Sequence, residues 1–286
     1  MTFQVHRAAV IGAGTMGAGI AQATAAAGWN TVITDTRPEA LPAALVAIGR
    51  TLDGAVKRGK MTAEDREAIR GRIGTAASVA EACRNADLVI EAVVEDPAVK
   101  RDVLGQAARV VSDGALVATN TSSLSITELA RELPHPDRFL GLHFFNPVHL
   151  MRLVEIVVHD GAGERVRNDA LAVVEALGKD PIMVRDSPGF ASSRLGIVLG
   201  LEAMRMLEQG VASATDIDRA MELGYNHPMG PLRLTDLVGL DVRLRIAEYL
   251  HRTLGGAQYE PPAILRRLVA EGKLGKKTGE GFHRWE

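Results

Sequence analysis

An α/β fold, a doubly wound sheet followed by an all-helical C-terminal domain, is predicted from three features of the sequence. Short β-branched runs alternate with alanine-rich helical segments up to about residue 185. The first of these runs ends in a glycine-rich turn that opens a helix. Beyond Ser187-Pro188-Gly189 the apolar period is helical and no convincing strand follows. Strands alternating with helices imply parallel pairing and a sheet covered on both faces. The Ser-Pro-Gly break sets a boundary between residues 1–185 and residues 186–286.

The elements follow in order. Ala8 to Ile11 is a short apolar run before glycine, a buried strand. Met16 to Ala27 is a helix stopped by Gly28. Thr31 to Thr34 is a second strand, closed by Asp35. Pro38 to Lys60 is helical, and Thr62 followed by Asp65 resembles a capping box opening another helix. Leu88 to Val94 and Leu116 to Thr119 are strands flanking a helix over Pro97 to Val111. Ser125 and Glu128 suggest a further capped helix. Phe139 to His143, Leu153 to Val158 and Ile182 to Val184 are later strands, with a helix over Glu164 to Leu177. The C-terminal helices are Leu195 to Gln209, Ser213 to Glu222, Pro231 to Leu254 and Pro262 to Glu271.

Composition narrows the class. The 286 residues are 47% hydrophobic and 24% charged, with a formal net charge of −2. That is ordinary for a globular enzyme and points to neither nucleic acid nor an anionic membrane as partner. A single cysteine, Cys83, rules out an intramolecular disulfide and fits a reducing compartment. Met1 to Val10 has no signal-peptide pattern, and no run approaches the ~20 apolar residues of a membrane helix. A cytoplasmic protein with no membrane partner and no metal site is expected.

Gly12-Ala13-Gly14-Thr15-Met16-Gly17 is a G-x-G-x-x-G following a strand and opening a helix. Gly12 permits the tight turn, Gly14 lets the backbone approach a pyrophosphate, and Gly17 lets the helix pack closely on the sheet. The N–H groups of the helix start, at Thr15, Met16 and Gly17, then face the phosphates. Asp35 ends the second strand 18 residues after Gly17. A carboxylate there accepts ribose hydroxyls and repels a 2′-phosphate, so NAD is favoured over NADP, although neighbouring Arg37 blurs the preference. The alternative is a tight strand–helix turn with a solvated aspartate.

Oxidising an alcohol with NAD needs a base for the hydroxyl proton, usually histidine near neutral pH. Of eight histidines, His143 stands out: it ends an apolar strand and precedes Phe144-Phe145-Asn146-Pro147. Strand ends are where open α/β sheets place ligands. Glu155, 12 residues on in another strand-like run, is placed to orient the imidazole. On the residues alone a structural histidine remains equally open.

Gly141-Leu-His143-Phe-Phe-Asn146-Pro147 with Val154-Glu155-Ile156 resembles the signature of the L-3-hydroxyacyl-CoA dehydrogenases, the bacterial 3-hydroxybutyryl-CoA enzymes included. So do Asn120-Thr121-Ser122-Ser123-Leu124, Ser187-Pro188-Gly189-Phe190, His227-Pro228-Met229-Gly230-Pro231 and Lys276-Lys277-Thr278-Gly279-Glu280-Gly281-Phe282, in order along nearly the whole chain. The resemblance implies a Rossmann-like NAD-binding domain, a helical substrate and dimerisation domain, a site between them, and a homodimer. It implies that His143 is the general base toward the 3-hydroxyl, paired with Glu155. Ser122 would bond the reacting oxygen, and Asn146 would shape the site beside the nicotinamide. Glu95 and Lys100 match cofactor- and substrate-contacting positions, and Asn120 and Lys277 match cofactor-contacting ones. Ser122 as a turn cap, Glu95 with Lys100 as a solvated pair, and Lys277 as a solvated tail residue are the alternatives.

Between Arg50 and Arg72 lie seven basic residues and four acids, a local excess of three positive charges. Such a patch suits the phosphorylated ADP of CoA; by analogy with the family's helical arm, Thr51, Lys57 and Arg58 are the candidates for holding acyl-CoA. A solvated helix face is the alternative. One position departs from the family pattern. Ser193-Arg194 stands where the family reads Asn-Arg, and a serine is shorter and lacks the amide fork. Ser193 is expected to handle substrate through its hydroxyl.

The rivals are related dehydrogenases. The β-hydroxyacid group (6-phosphogluconate and hydroxyisobutyrate enzymes) uses a helical lysine, which the His143 signature opposes. Gulonate-type dehydrogenases of free sugar acids stand nearer. A cysteine-nucleophile sugar dehydrogenase conflicts with the place of Cys83. A non-catalytic NAD- or acyl-CoA-binding protein is the rival of another class, opposed by an intact His143 and Glu155.

Overall fold

A computed structural model of the chain describes residues 3–285. The chain divides into two compact units, Met1–Asp186 and Ser187–Glu286.

The first unit is built on one sheet of eight strands: β1 (Arg7–Ile11), β2 (Asn30–Thr34), β3 (Ile73–Thr75), β4 (Leu88–Glu91), β5 (Leu116–Thr119), β6 (Phe139–Phe144), β7 (Leu153–Val158) and β8 (Asp180–Arg185). Their order is β3-β2-β1-β4-β5-β6-β7-β8. Its helices are α1 (Thr15–Ala26), α2 (Ala40–Lys57), α3 (Ala63–Gly71), α4 (Val79–Cys83), α5 (Pro97–Ala108), α6 (Ile126–Ala130) and α7 (Glu164–Ala176). The core is where the sequence is most continuously apolar: Ala8, Val10, Leu88, Ile90, Leu140 and Leu142 are fully buried. Strands covered on both faces cannot alternate polar with apolar, which is why β1, β4 and β5 read as unbroken apolar runs.

The pairing is parallel from β3 through β6, as the alternation predicted. Then it reverses, because β7 runs antiparallel to β6. The connection, residues 145–152, holds no helix. A parallel crossover needs about a dozen residues, so the chain doubles back. Two elements went unforeseen, β3 and α4, with three and five residues. Both are too short to show a period.

The second unit is helical among its described residues: α8 (Ser192–Glu208), α9 (Ala214–Gly224), α10 (Pro231–Val238), α11 (Leu240–Leu254) and α12 (Ala263–Ala270). The stretch expected as one helix over Pro231 to Leu254 is broken at Gly239, whose φ of +104° no helix accommodates. Two buried aspartates organise this unit. Asp218 on α9 accepts the N–H of Leu232 (2.7 Å) and Arg233 (2.9 Å), capping α10 from another helix. Asp236 on α10 accepts the N–H of Phe282 (2.8 Å) and His283 (2.8 Å) and the indole N–H of Trp285 (3.0 Å). His283 Nε2 lies 2.8 Å from Asp218 Oδ2, closing the strap. A Cβ at Gly230 or Gly281 would fall 2.2 or 2.1 Å from these carboxyl side chains, which is why both positions are glycine.

Candidate active site

The carboxyl ends of β1, β4, β5 and β6 lie side by side, and the chain reverses its winding between β1 and β4. In open α/β sheets that switch point is the ligand crevice. The three glycines of the turn are there for different reasons. A Cβ on Gly12 would lie 2.5 Å from the Ala92 carbonyl oxygen, and one on Gly17 would lie 1.8 Å from that of Gly12. Both are demanded by packing. A Cβ on Gly14 would meet nothing within 4 Å. The protein itself has no use for a glycine there; a ligand approaching the backbone does. Gly14 is also the N-cap of α1 and offers no side-chain cap, so the N–H groups at Thr15, Met16 and Gly17 point their positive end outward.

Asp35 fixes this turn and faces the same space. Its Oδ2 accepts the Ala13 N–H at 2.7 Å and its Oδ1 the Arg37 N–H at 2.9 Å. Gly14, Met16, Asp35, Arg37, Val79 and Val93 are among the walls of a cleft of about 540 Å³. Space, helix terminus and carboxylate together fit a dinucleotide. A second cavity of about 130 Å³ lies beside Asp113, Leu116 and Arg165, at the amino end of β5, and carries none of these groups.

Behind the crevice lies a buried charge network. Lys100 on α5 and Glu91 at the end of β4 are both fully buried, with Lys100 Nζ 2.7 Å from Glu91 Oε1. Glu91 also accepts the Val93 N–H (2.7 Å) and the Thr119 hydroxyl (2.5 Å). Lys100 Nζ lies 3.4 Å from Glu95 Oε2. The other oxygen of Glu95 accepts from the Thr121 hydroxyl (2.6 Å), the Ser122 N–H (3.1 Å) and the Ser123 N–H (3.2 Å). Burial by itself would raise the Glu95 carboxyl; Lys100 and these donors outweigh it and hold it below its ordinary value. A solvated Glu95–Lys100 pair is therefore overturned. Lys100 itself presents no surface, and its ammonium meets Glu95, which is 36% exposed. The Ser122 hydroxyl makes no hydrogen bond to any described residue, while its backbone is held by Glu95.

The β6–β7 reversal places His143 directly opposite Glu155 in register. His143 Nδ1 lies 2.6 Å from Glu155 Oε2, with the glutamate fully buried and the imidazole 8% exposed. A carboxylate at that distance fixes the tautomer with the proton on Nδ1, so Nε2 carries the lone pair. The Phe145 ring tilts against the imidazole, centroids 4.5 Å apart. Asn120 Oδ1 accepts the Phe144 N–H at 2.8 Å, tying the loop that carries Ser122 to the strand that carries His143.

Asn146 is exposed, in the loop of residues 145–152. Lys179, unforeseen from the sequence, holds that loop by donating to the carbonyls of Val148 (2.6 Å) and Met151 (2.8 Å), and burial pushes its ammonium down. His149 in the same loop is held below its ordinary value by burial and by the charges of Arg58 and Lys179. Lys57 and Arg58 are exposed at the end of α2. Thr51 instead donates its hydroxyl proton to Ala47 O at 3.1 Å, so it is no free donor for a CoA phosphate. In the helical unit Lys277 pairs with Asp241 at 2.5 Å, and Ser193 lies on the first turn of α8. Cys83 is buried, which pushes its thiol up to about 12 and leaves it protonated and unfit as a nucleophile. No group of three or more metal-ligating side chains occurs among the described residues.

A dinucleotide cleft at the switch point, with a carboxylate-backed histidine at a neighbouring strand end, defines a nicotinamide-dependent dehydrogenase. Residues 7–187 match the NAD-binding domain of 3-hydroxyacyl-CoA dehydrogenase, and residues 189–285 match its C-terminal domain. The chain belongs to the 3-hydroxyacyl-CoA dehydrogenase family and uses NAD. It is 41% identical over 283 residues to a probable 3-hydroxybutyryl-CoA dehydrogenase of Bacillus subtilis, covering 99% of this chain and 98% of that one. It is 39% identical to the human mitochondrial hydroxyacyl-coenzyme A dehydrogenase over 288 residues, covering 99% and 92%. The crystal structure of (S)-3-hydroxybutyryl-CoA dehydrogenase from Ralstonia eutropha superposes with a TM-score of 0.94 at 38% identity, covering 99% and 100%. The fold class and the family resemblance read from the sequence are borne out.

Proposed function

We propose that the chain oxidises (S)-3-hydroxyacyl-CoA thioesters of short chain, of the 3-hydroxybutyryl-CoA kind, to 3-oxoacyl-CoA. The His143–Glu155 pair carries this reading, at 2.6 Å and buried at a strand end beside the dinucleotide crevice. His143 Nε2 takes the 3-hydroxyl proton, and the Glu155 carboxylate stabilises the imidazolium that forms. Bound NAD supplies the acceptor for the hydride leaving C3. The Ser122 hydroxyl donates to the oxygen on C3, its loop held by Glu95. Asn146 borders the nicotinamide side, and Ser193 contacts the acyl group. Asn120, Glu95 and Lys277 contact the cofactor. Lys57 and Arg58 meet the CoA phosphates. Residues 1–185 act as the NAD-binding domain and residues 186–286 as the substrate domain, through which two copies form a homodimer. With no helix long and apolar enough to cross a membrane among the described residues, the cytoplasm is the expected place of work.

NADH formation on a panel of 3-hydroxyacyl-CoA thioesters and free hydroxy acids tests the reading. Turnover of the thioesters supports it. Turnover confined to free acids favours a gulonate-type enzyme, and tight NADH binding without any turnover favours a non-catalytic binding protein.

A further inference from the structure

The carboxyl ends of β1, β4, β5 and β6 follow one another across the sheet, and each carries one part of the site. The glycine turn and the start of α1 follow β1, Glu95 lies past the end of β4, Ser122 lies past the end of β5, and His143 stands near the end of β6. Adjacent strands lie about 4.8 Å apart, so three steps, roughly 14 Å, separate the phosphate turn from the histidine. A dinucleotide whose pyrophosphate meets α1 and whose nicotinamide meets His143 crosses the ends of β4 and β5. Glu95 is the part-exposed charge at that crossing.

The charges around Glu95 do not cancel. Lys100 is one ammonium between two carboxylates, 2.7 Å from Glu91 and 3.4 Å from Glu95. Glu91 receives three donors, from Lys100, the Val93 N–H and the Thr119 hydroxyl, which is the pattern of an ionised carboxylate. Burial works against charge on Glu95, yet Lys100, Thr121, Ser122 and Ser123 outweigh it and keep the carboxyl ionised at neutral pH. The trio therefore sums to one negative charge. Glu91 and Lys100 have no exposed side-chain surface, so that charge reaches the crevice through Glu95. The next acid along, Asp96, is engaged in capping α5, where it accepts the N–H of Ala98 (2.8 Å) and Val99 (3.1 Å).

A nicotinamide ring is a cation when oxidised and neutral when reduced. We infer that Glu95 selects the oxidation state of the cofactor, its carboxylate attracting the ring of NAD and having no such hold on that of NADH. The inference rests on the proposed reading in which Glu95 contacts the cofactor. The attraction is present when the oxidised form binds and is gone once the ring has received its hydride, so NADH leaves without it. Lys100 serves this selection from behind: it keeps Glu95 ionised, while Glu91 keeps Lys100 from neutralising it.

The test is the pair of Kd values for NAD and NADH, measured by calorimetric and fluorescence titration of the whole protein. Glu95→Gln keeps the shape and an acceptor for the Ser122 loop and removes the charge. It should weaken NAD about tenfold and leave NADH within about twofold, the scale of one ion pair a few ångströms apart in a part-solvated site. Glu95→Asp keeps the charge and loses reach to the loop, so it should weaken both forms alike and leave their ratio near the wild-type value. A role confined to holding the loop leaves the ratio unchanged in both variants. The unaltered protein supplies a check that misfolding cannot confuse. The dinucleotide carrying benzamide in place of nicotinamide is a neutral-ring isostere of NAD, and wild type should bind it about tenfold more weakly than NAD. An isostere that binds wild type as tightly as NAD, or a Kd ratio that Glu95→Gln leaves fixed, overturns the inference. If Glu95→Gln weakens NAD and NADH equally, the contact with the cofactor stands and the selection falls. If it changes neither, the contact falls as well.

Discussion

Two buried cations, one in each unit, are treated in opposite ways. Lys100 has no exposed side-chain surface and is met by Glu91 at 2.7 Å and Glu95 at 3.4 Å. Glu91 in turn is saturated by Val93 and Thr119. Arg243 is nearly as deep, at 7% exposed, and has no partner among the described residues. The first charge is spent inside the protein, holding the ends of β4 and β5 and the Ser122 loop in one arrangement. The second is left over. Burial alone therefore does not tell how a charge is used; the partners around it do.

The comparison can be broken on its paired side first. His143→Ala removes the group that the Glu155 carboxylate orients and should lower kcat on the order of 10²–10⁴-fold. NADH affinity, followed by fluorescence titration, should survive, and near-normal turnover would take His143 out of the chemistry. Lys100→Met should come next. It strands the Glu91 carboxylate in the core and should cost about 3–5 kcal/mol in urea denaturation. Lys100→Met with Glu91→Met should recover most of that loss, while Arg243→Met, which deletes an unpaired charge, should raise the midpoint. If Lys100→Met is silent, the two cations are equivalent and the contrast collapses. Asp35→Ser removes a carboxylate that is already engaged by the turn, so a smaller effect is expected. The NAD-to-NADP ratio of kcat/KM should fall roughly tenfold, about 1.4 kcal/mol; a wild type that already prefers NADP contradicts this role.

The smallest effect is a pH dependence at Glu95, whose side chain is 36% exposed. Its carboxyl is held below the unfolded value, around 4.3 for glutamate. A depressed carboxyl stabilises the fold above the unfolded value and loses that contribution as pH falls through the folded one. The stability gap between wild type and Glu95→Gln should therefore be constant from pH 7 to about pH 5 and narrow as pH falls below about 4. A gap that does not narrow at all between about pH 5 and pH 3 would assign the Glu95 contribution to shape rather than charge.

What was legible in the sequence is what local chemistry dictates. Gly12, Gly14 and Gly17 declare a turn whatever surrounds them, and Asp35 follows at the end of the next strand. His143 and Glu155 were readable as strand residues, although only the antiparallel return makes them cross-strand neighbours. The Glu91–Thr119 bond joins residues 28 apart, and no spacing rule connects them. The one available signal was an acid closing the wholly buried run Leu88–Glu91. Lys179 reaches Val148 from 31 residues away and gave no signal. Arg243 looked like any arginine on an amphipathic helix, because what makes it unusual is the absence of partners in space. The break at Gly239 was in plain view but is decided by a left-handed φ that a helical period cannot reveal.

The strap that ends the helical unit has a bearing on how the protein is turned over. Phe282, His283 and Trp285 supply the donors that neutralise the Asp236 carboxylate, and His283 also reaches Asp218. A protease trimming back past Phe282 would remove more than a loose end. It would strip the Phe282, His283 and Trp285 donors from the fully buried Asp236 carboxylate and take the His283 contact from Asp218, which is 4% exposed, so α9 and α10 would lose a shared fastening at once. Degradation from this end should thus be all-or-none: chains are either whole or gone, and stable C-terminally shortened intermediates should not accumulate.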